Sequence, residues 1–357
     1  MADLAQKSEQ RVFMTGNEVV AWAALAADAD IVYGYPITPQ NEIMHYWTRL
    51  APKHEKKFLQ TEDEISAGFA TLGGVMAGRK AFTASAGPGN VLMQESAGMA
   101  EMMRLPIVYV IQQRGGPSTA TVIYAQQETT LTTFGGNGEG HRIVYSTSTH
   151  QELFDYTIRA FNVAWKYRFP TFILGDGYQA KMREPLTMYD PKERGIVMVP
   201  PEPMVGVSTQ KKQFRHFRNT YNTEAELYEV VMANQRDWDS MAPEVAEWDE
   251  KGCDDADVIF LTHGIVSRSA QSAYNQLRDQ GKKVGFFRPI TLRPFPENQL
   301  KNAVKNAERL LIAESAYGQL MKLVQNAIYG STIKIVPMLR PGVGITSEEL
   351  IEEYNKL

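Results

Sequence analysis

Residues Lys57 to Val91 read KFLQTEDEISAGFATLGGVMAGRKAFTASAGPGNV. A short apolar run leads into the acidic cluster Glu62-Asp63-Glu64, and a helix crowded with small residues follows: Ala67, Gly68, Ala70, Gly73, Gly74, Ala77 and Gly78. A strand, KAFTA, and a glycine loop, Ser85-Ala86-Gly87-Pro88-Gly89, then open the next helix. Each glycine inside a helix costs roughly 1 kcal/mol relative to alanine, so several together call for close packing. The plain reading is tight helix–helix or helix–sheet contact. The alternative is an acid at a strand end, placed where backbone approaches a ligand.

Working outward, Asn17 to Ala27 has one apolar helical face, and Asp30 to Tyr35 reads as a strand that stops at Pro36-Ile37-Thr38-Pro39. Two prolines in four residues remove backbone donors and fix an extended turn. That turn sets Thr38 beyond a strand end, where open α/β sheets bind ligands. After a helix over 91–104, the strand Pro106 to Ile111 ends in the donor-rich loop Gln112 to Thr119, which carries Arg114. A long Thr-rich connection leads on to Gly135–Gly140, and loops of that length in a compact domain are often functional. Strand, helix and strand again follow to Leu174. This alternation predicts a parallel sheet covered on both faces.

Composition narrows the chemistry. With 357 residues, 43% hydrophobic and 22% charged, the chain has enough material for two globular domains. A net charge of -4 and the lack of a Lys/Arg block argue against a nucleic-acid surface. The N-terminus MADLAQKSEQRVF has no apolar core of signal-peptide length, and no run approaches a membrane span, which points to the cytoplasm. The single Cys253 cannot hold an iron–sulfur cluster. The histidines at 45, 54, 141, 150, 216 and 263 show no paired ligand spacing, so no metal site is predicted in this chain.

Residues 1–245 form a first domain in this reading, with a core over about 11–188 and then an arm of Pro, Met and charge. Residues 246–257 read as an acidic linker: Asp237 to Asp257 holds nine acids and one base, Lys251. A second β-α series begins at Val258 and fills 258–357.

Four loops now stand at strand ends: GYPITP (34–39), EDE (62–64), SAGPG (85–89) and QRGGPST (113–119). In that order and spacing the chain resembles the α subunits of 2-oxoacid:ferredoxin oxidoreductases over nearly its whole length. Within that family it looks most like the branched-chain, 2-oxoisovalerate type. The resemblance implies a doubly wound, pyrimidine-type thiamine diphosphate domain followed by a smaller transketolase C-terminal-like α/β domain. It also implies a carboxylate on N1′ of the cofactor's aminopyrimidine, favouring the imino tautomer that acts as base. Glu62 and Glu64 compete for that role. The activating Glu of thiamine enzymes is commonly followed by small residues about four and nine positions on, which Gly68 and Gly73 supply for Glu64 but Ser66 and Thr71 do not for Glu62.

The family places the threonine of GYPITP, Thr38, and the arginine of RGGP, Arg114, beside the 2-oxoacid. An arginine takes a carboxylate through two parallel charge-assisted bonds. The competing readings are a turn-stabilising hydroxyl for Thr38 and an ion pair with Glu128 or Glu139 for Arg114. Pro36, Ile37, Ser85, Gly87 and Gly89 fall beside the cofactor, and the loop's backbone N–H groups could support it at a helix N-terminus, a tight turn being the other reading. Gly175-Asp176-Gly177 matches the start of a thiamine diphosphate–magnesium signature, GDG followed some 25 residues later by Asn. No Asn occurs between Gly177 and Asn219, so it reads as a strand-end turn.

The implied assembly places the diphosphate and Mg²⁺ on a β subunit and the iron–sulfur clusters on partner chains, with γ and iron–sulfur δ subunits completing it. Electrons pass to ferredoxin or a similar acceptor, and CoA takes the acyl group. Tyr33, Tyr35, Ile37 and Tyr124 suit a branched or aryl substrate side chain, core packing being the equal reading of them, with 2-oxoglutarate as the alternative substrate. A non-oxidative ketol transferase or decarboxylase subunit and a catalytically silent scaffold are the remaining readings.

Overall fold

The computed structural model describes residues 9–203 and 217–357. The first eight residues, on which part of the leader reading rests, and His216 lie outside them. A seven-stranded sheet runs from edge to edge as Thr291–Arg293, Ile143–Ser146, Thr171–Asp176, Val108–Gln113, Ala81–Ser85, Ile31–Gly34 and Lys57–Gln60. All neighbours are parallel except the first pair, which is antiparallel. The strands in the middle of this sheet are buried on both faces, which explains runs such as Val108-Tyr-Val-Ile with no polar alternation.

Helices cover the two faces. Gly16–Ala26 starts where the Thr15 side chain accepts from the Glu18 N–H, and it buries Val19, Val20, Ala23 and Ala24 against His150–Tyr167. On the same side Trp47 meets Phe82 edge-on, 5.0 Å between ring centroids, and donates its indole N–H to the Lys57 carbonyl. A five-stranded sheet follows in the order Lys334–Leu339, Arg309–Glu314, Val258–Leu261, Val284–Pro289 and Trp248–Lys251, with only the last pair antiparallel.

The acidic 246–257 segment is not a solvated linker. Residues up to Val245 belong to a 22-residue helix, and Trp248–Lys251 pairs with Phe286–Pro289 as an edge strand. An edge strand tolerates charge, here Asp249, Glu250 and Lys251 in succession, and charge density alone could not reveal the backbone pairing. Nor are the two sheets separate. Thr291–Arg293 leaves the second unit to pair with Ile143–Ser146, and one apolar cluster joins Val144 and Trp165 to Ile259, Leu261 and Leu310. Arg183–Tyr189, at the end of the 11–188 core, is a strand paired antiparallel with Glu9–Thr15, a partner the sequence reading did not assign. The single helix expected over 91–104 is two, Pro88–Leu92 and Gln94–Met103.

Candidate active site

The strands Val108–Gln113, Ala81–Ser85, Ile31–Gly34 and Lys57–Gln60 are consecutive neighbours and point the same way. Their C-terminal loops therefore stand side by side on one edge of the sheet. The strand Ile31–Gly34 is followed in sequence by a neighbour on one side and then by one on the other, so this edge is a topological switch point, where such sheets bind ligands.

Glu64 is the first residue of the Glu64–Met76 helix, and Asp63 caps it, accepting from the Ser66 N–H at 2.7 Å. The Glu64 side chain is buried, whereas Glu62 is exposed and accepts from the Ser66 hydroxyl at 3.0 Å. Burial raises the Glu64 pKa, and the nearby Asp63 charge adds to it. The helix-terminal N–H and Arg114 oppose the rise without reversing it.

The helix glycines divide by face. A Cβ at Gly68 would lie 2.2 Å from Ser96 Oγ, and one at Gly74 would lie 2.8 Å from the Tyr33 ring, so both are packing requirements. A Cβ at Gly73 would meet nothing within 4 Å. Ile65, Phe69 and Gly73 fall four apart and are all exposed, leaving one open face beside Glu64.

Two N–H groups of the Ser85–Gly89 loop are already taken. The Gly87 N–H goes to Glu128 Oε1 at 2.8 Å and the Gly89 N–H to the Ala86 carbonyl at 3.1 Å. The helix that follows is only five residues long. The loop instead makes room for two side chains. A Cβ at Gly87, where φ is +53°, would lie 2.4 Å from Arg114 Nε. A Cβ at Gly89 would lie 2.5 Å from Glu64 Oε1 and 2.3 Å from Ser85 Oγ. Two glycines one residue apart thus bring the arginine and the acid together.

Arg114 is buried and donates from Nη1 to the Thr38 carbonyl at 2.8 Å. Its guanidinium makes no ion pair with Glu128 or Glu139 among the described residues; Glu128 accepts from the Arg114 backbone N–H at 2.9 Å instead. Arg114 Nε and Ser85 Oγ are buried without partners among the described residues. Thr38 is exposed, and its hydroxyl has no hydrogen bond within the described residues, so it does not stabilise the turn. Pro36 is exposed and Ile37 half-buried beside it.

Two residues expected near the substrate are engaged elsewhere. Tyr33 packs on Gly74, and Tyr124 stacks on Tyr178 at 4.2 Å. Strand alternation sends Tyr33 to the helix face, and the loop turn at 119–124 carries Tyr124 inward. Sequence reasoning missed Glu128 as an organiser of the site, because nothing local marks a glutamate that serves loops 14 and 41 residues away.

Asp176 of the Gly175-Asp-Gly177 turn is an N-cap: Oδ1 accepts from the N–H groups of Tyr178 at 2.9 Å and Gln179 at 3.1 Å. Burial pushes its pKa up to about 6 against those backbone donors. A folded Asp176 thus holds its proton to higher pH than an unfolded one, and stability drops as pH rises from about 4 through about 6. Asp176→Asn keeps the capping oxygen and removes the ionisation. It is expected to stabilise the protein at pH 7.5 by on the order of 2 kcal/mol, with the gain fading by pH 4. Urea unfolding at both pH values checks this, and a variant less stable than wild type at pH 7.5 contradicts it.

Comparison with known proteins follows the same lines. The family model described as pyruvate flavodoxin/ferredoxin oxidoreductase, thiamine diphosphate-binding, matches residues 22–247. The model for pyruvate:ferredoxin oxidoreductase core domain II matches residues 256–348. The 2-oxoglutarate synthase subunit KorA of Methanothermobacter marburgensis is 31% identical over 92% of this chain and 95% of its own. The ketoisovalerate oxidoreductase subunit VorB of the same organism is 32% identical over 87% of this chain and 88% of its own. The 2-oxoglutarate:ferredoxin oxidoreductase from Magnetococcus marinus, solved with 2-oxoglutarate, coenzyme A and succinyl-CoA bound, superposes with a TM-score of 0.86 at 26% identity. That match covers 97% of this chain and 65% of the other. No described helix is long and apolar enough to cross a membrane.

Proposed function

Because the chain belongs to the thiamine diphosphate-binding pyruvate flavodoxin/ferredoxin oxidoreductase family, we propose that Glu64, Arg114 and Thr38 are its working residues in the reaction 2-oxoacid + CoA + oxidised acceptor → acyl-CoA + CO₂ + reduced acceptor. The chain is an α subunit of a multi-subunit 2-oxoacid:ferredoxin oxidoreductase. The observation that carries the assignment of residues is the pair Gly87 and Gly89, which seat Arg114 and Glu64 two positions apart along one loop.

The residues fit the cofactor. A buried acid of raised pKa suits a pyrimidine nitrogen, and an unpartnered Ser85 hydroxyl and Arg114 Nε are donors awaiting polar groups. Thiamine diphosphate would be held here by Glu64 and the Ser85–Gly89 wall, and the chemistry it would supply is a carbon nucleophile and an electron sink. Glu64 shares its proton with N1′ and so sets the basicity of the aminopyrimidine. Arg114 holds the substrate carboxylate, and the free Thr38 hydroxyl meets the oxo group. Pro36, Ile37, Ser85, Gly87 and Gly89 shape the wall around them.

Partner chains complete the site in this reading. Asp176 is occupied as a helix cap, so the diphosphate and Mg²⁺ belong on a β subunit. The only cysteine, Cys253, is buried, and burial raises its pKa to about 11, so electrons leave through iron–sulfur subunits. Phe58 and Leu59 on the strand before Glu64, and Ile65 and Phe69 on its helix, are large apolar side chains left exposed in this chain, as a surface for a partner would be.

Identity does not separate substrates, since the 2-oxoglutarate and ketoisovalerate relatives match almost equally. In sequence Thr38 is flanked by Pro36, Ile37 and Pro39, none of which can hold a second carboxylate, and the cation bonded to its turn, Arg114, is assigned to the first. A branched-chain or aryl 2-oxoacid therefore fits better than 2-oxoglutarate. A panel of 2-oxoacids with CoA and a viologen dye, assayed on the assembled complex, tests this. The highest kcat/KM is expected with 2-oxoisovalerate or an arylglyoxylate. A maximum with 2-oxoglutarate reverses the substrate class, and aldehyde release without CoA-dependent dye reduction favours a non-oxidative decarboxylase.

A further inference from the structure

We propose that Glu128 is a positioning residue through which the second domain sets the place of Arg114 and of the Ser85–Gly89 loop. The inference rests on the reading of Arg114 as the arginine that holds the substrate. Glu128 is buried, and its two oxygens take three donors from two loops. Oε1 accepts from the Arg114 N–H at 2.9 Å and the Gly87 N–H at 2.8 Å, while Oε2 accepts from Asn90 Nδ2 at 2.9 Å. One carboxylate thus locks the backbone beneath Arg114 to the backbone over which its guanidinium lies.

Glu128 sits in a segment, 126–130, that is gripped from both sides. Toward the site, Gln127 Oε1 accepts from the Gly116 N–H, and the Glu128 N–H and the Thr129 hydroxyl both reach Gln113 Oε1. From the opposite side the second domain holds it by backbone and amide bonds. Gln126 and Ser315 exchange two, at 3.0 and 2.9 Å, and Gln126 Nε2 donates to the His263 carbonyl at 2.8 Å. The Gln319 amide donates to the Gln127 carbonyl and accepts from the Thr130 N–H, both at 2.8 Å. Displacing the second domain would pull on this segment, and the segment would carry Glu128 with it.

Glutamine cannot substitute for the carboxylate. It has the same shape, but its amide nitrogen, Nε2, would face Asn90 Nδ2, donor against donor. Asn90 cannot turn over to relieve this, since its Oδ1 already accepts from Gln94 Nε2 at 2.9 Å.

The test uses the assembled complex carrying Glu128→Gln or, at the remote grip, Gln319→Ala. In Glu128→Gln, amide deuterium exchange in peptides covering 86–90 and 113–116 is expected to quicken by about tenfold or more, as the donor–donor clash with Asn90 displaces the side-chain oxygen that holds both N–H groups. KM for the 2-oxoacid should rise about tenfold with kcat within about threefold, because carboxylate binding is misplaced while Glu64 is untouched. Gln319→Ala should move both quantities in the same direction by about threefold with an unchanged melting temperature. If Glu128→Gln fails to assemble, Gln319→Ala decides alone. Unchanged exchange in both peptides, or a fall in kcat with KM unchanged, overturns the proposal. A wild-type complex that turns over no 2-oxoacid would instead remove the reading of Arg114, and the exchange data would still report whether Glu128 joins the two loops.

Discussion

Glu64→Gln is expected to slow both turnover and exchange of the thiamine C2 proton by about 10²–10⁴-fold, the usual range for a lost acid–base group. The substitution keeps the side-chain volume, so the packing on Gly89, where a Cβ would come within 2.5 Å of Oε1, is preserved. What changes is the proton. Burial raises the pKa of the native carboxyl, so it can pass a proton to a nitrogen and take it back. An amide has no such proton to share. Melting temperature should stay near that of wild type or rise, because a buried ionisable group has been removed. Near-native exchange in this variant together with an inactive Glu62→Gln would transfer the role to Glu62, against its exposure and its bond to Ser66.

Arg114→Lys is expected to raise KM about a hundredfold for every 2-oxoacid while leaving their order of preference unchanged. The native guanidinium is held at one end by the Thr38 carbonyl and lies with Nε over Gly87, so its planar fork is aimed before substrate arrives. A lysine ammonium keeps the charge and loses both the fork and the anchorage. Each charge-assisted hydrogen bond is worth about 1.5–3 kcal/mol, and one to two of them account for the factor. The carboxylate is common to all substrates, so steady-state kinetics on three acids with different side chains should give parallel shifts. A change in rank order among them would mean that Arg114 faces the variable side chain.

Part of this site could be read without any tertiary information. Runs of buried strand residues ending in Pro, Gly or acid clusters placed Thr38, Glu64, Ser85–Gly89 and Arg114 at strand ends, because a parallel sheet needs apolar strands and its loops take the residues strands reject. Gly68 separated Glu64 from Glu62 by spacing, and its contact with Ser96 is a packing reason for a small residue there. The open surroundings of Gly73 show that the other half of the spacing rule answers to nothing among the described residues.

What the chain folded upon itself decided is of longer range. That Gly87 makes room for Arg114 depends on two neighbouring strands whose paired residues, such as Phe82 and Val108, lie 26 apart in sequence, and Gly89 meets Glu64 across the intervening strand Ile31–Gly34. The acids of 246–257 look like a solvated tether by charge, yet an edge strand is defined by backbone hydrogen bonds that no side-chain pattern encodes. Glu128 lies 41 residues from Gly87, and Gln319 lies 189 residues from Thr130. Local periodicity reports which face of an element is buried. Which distant carbonyl or amide a buried polar side chain will meet is settled only when the sheets and loops close around it, since each such group must find a partner there.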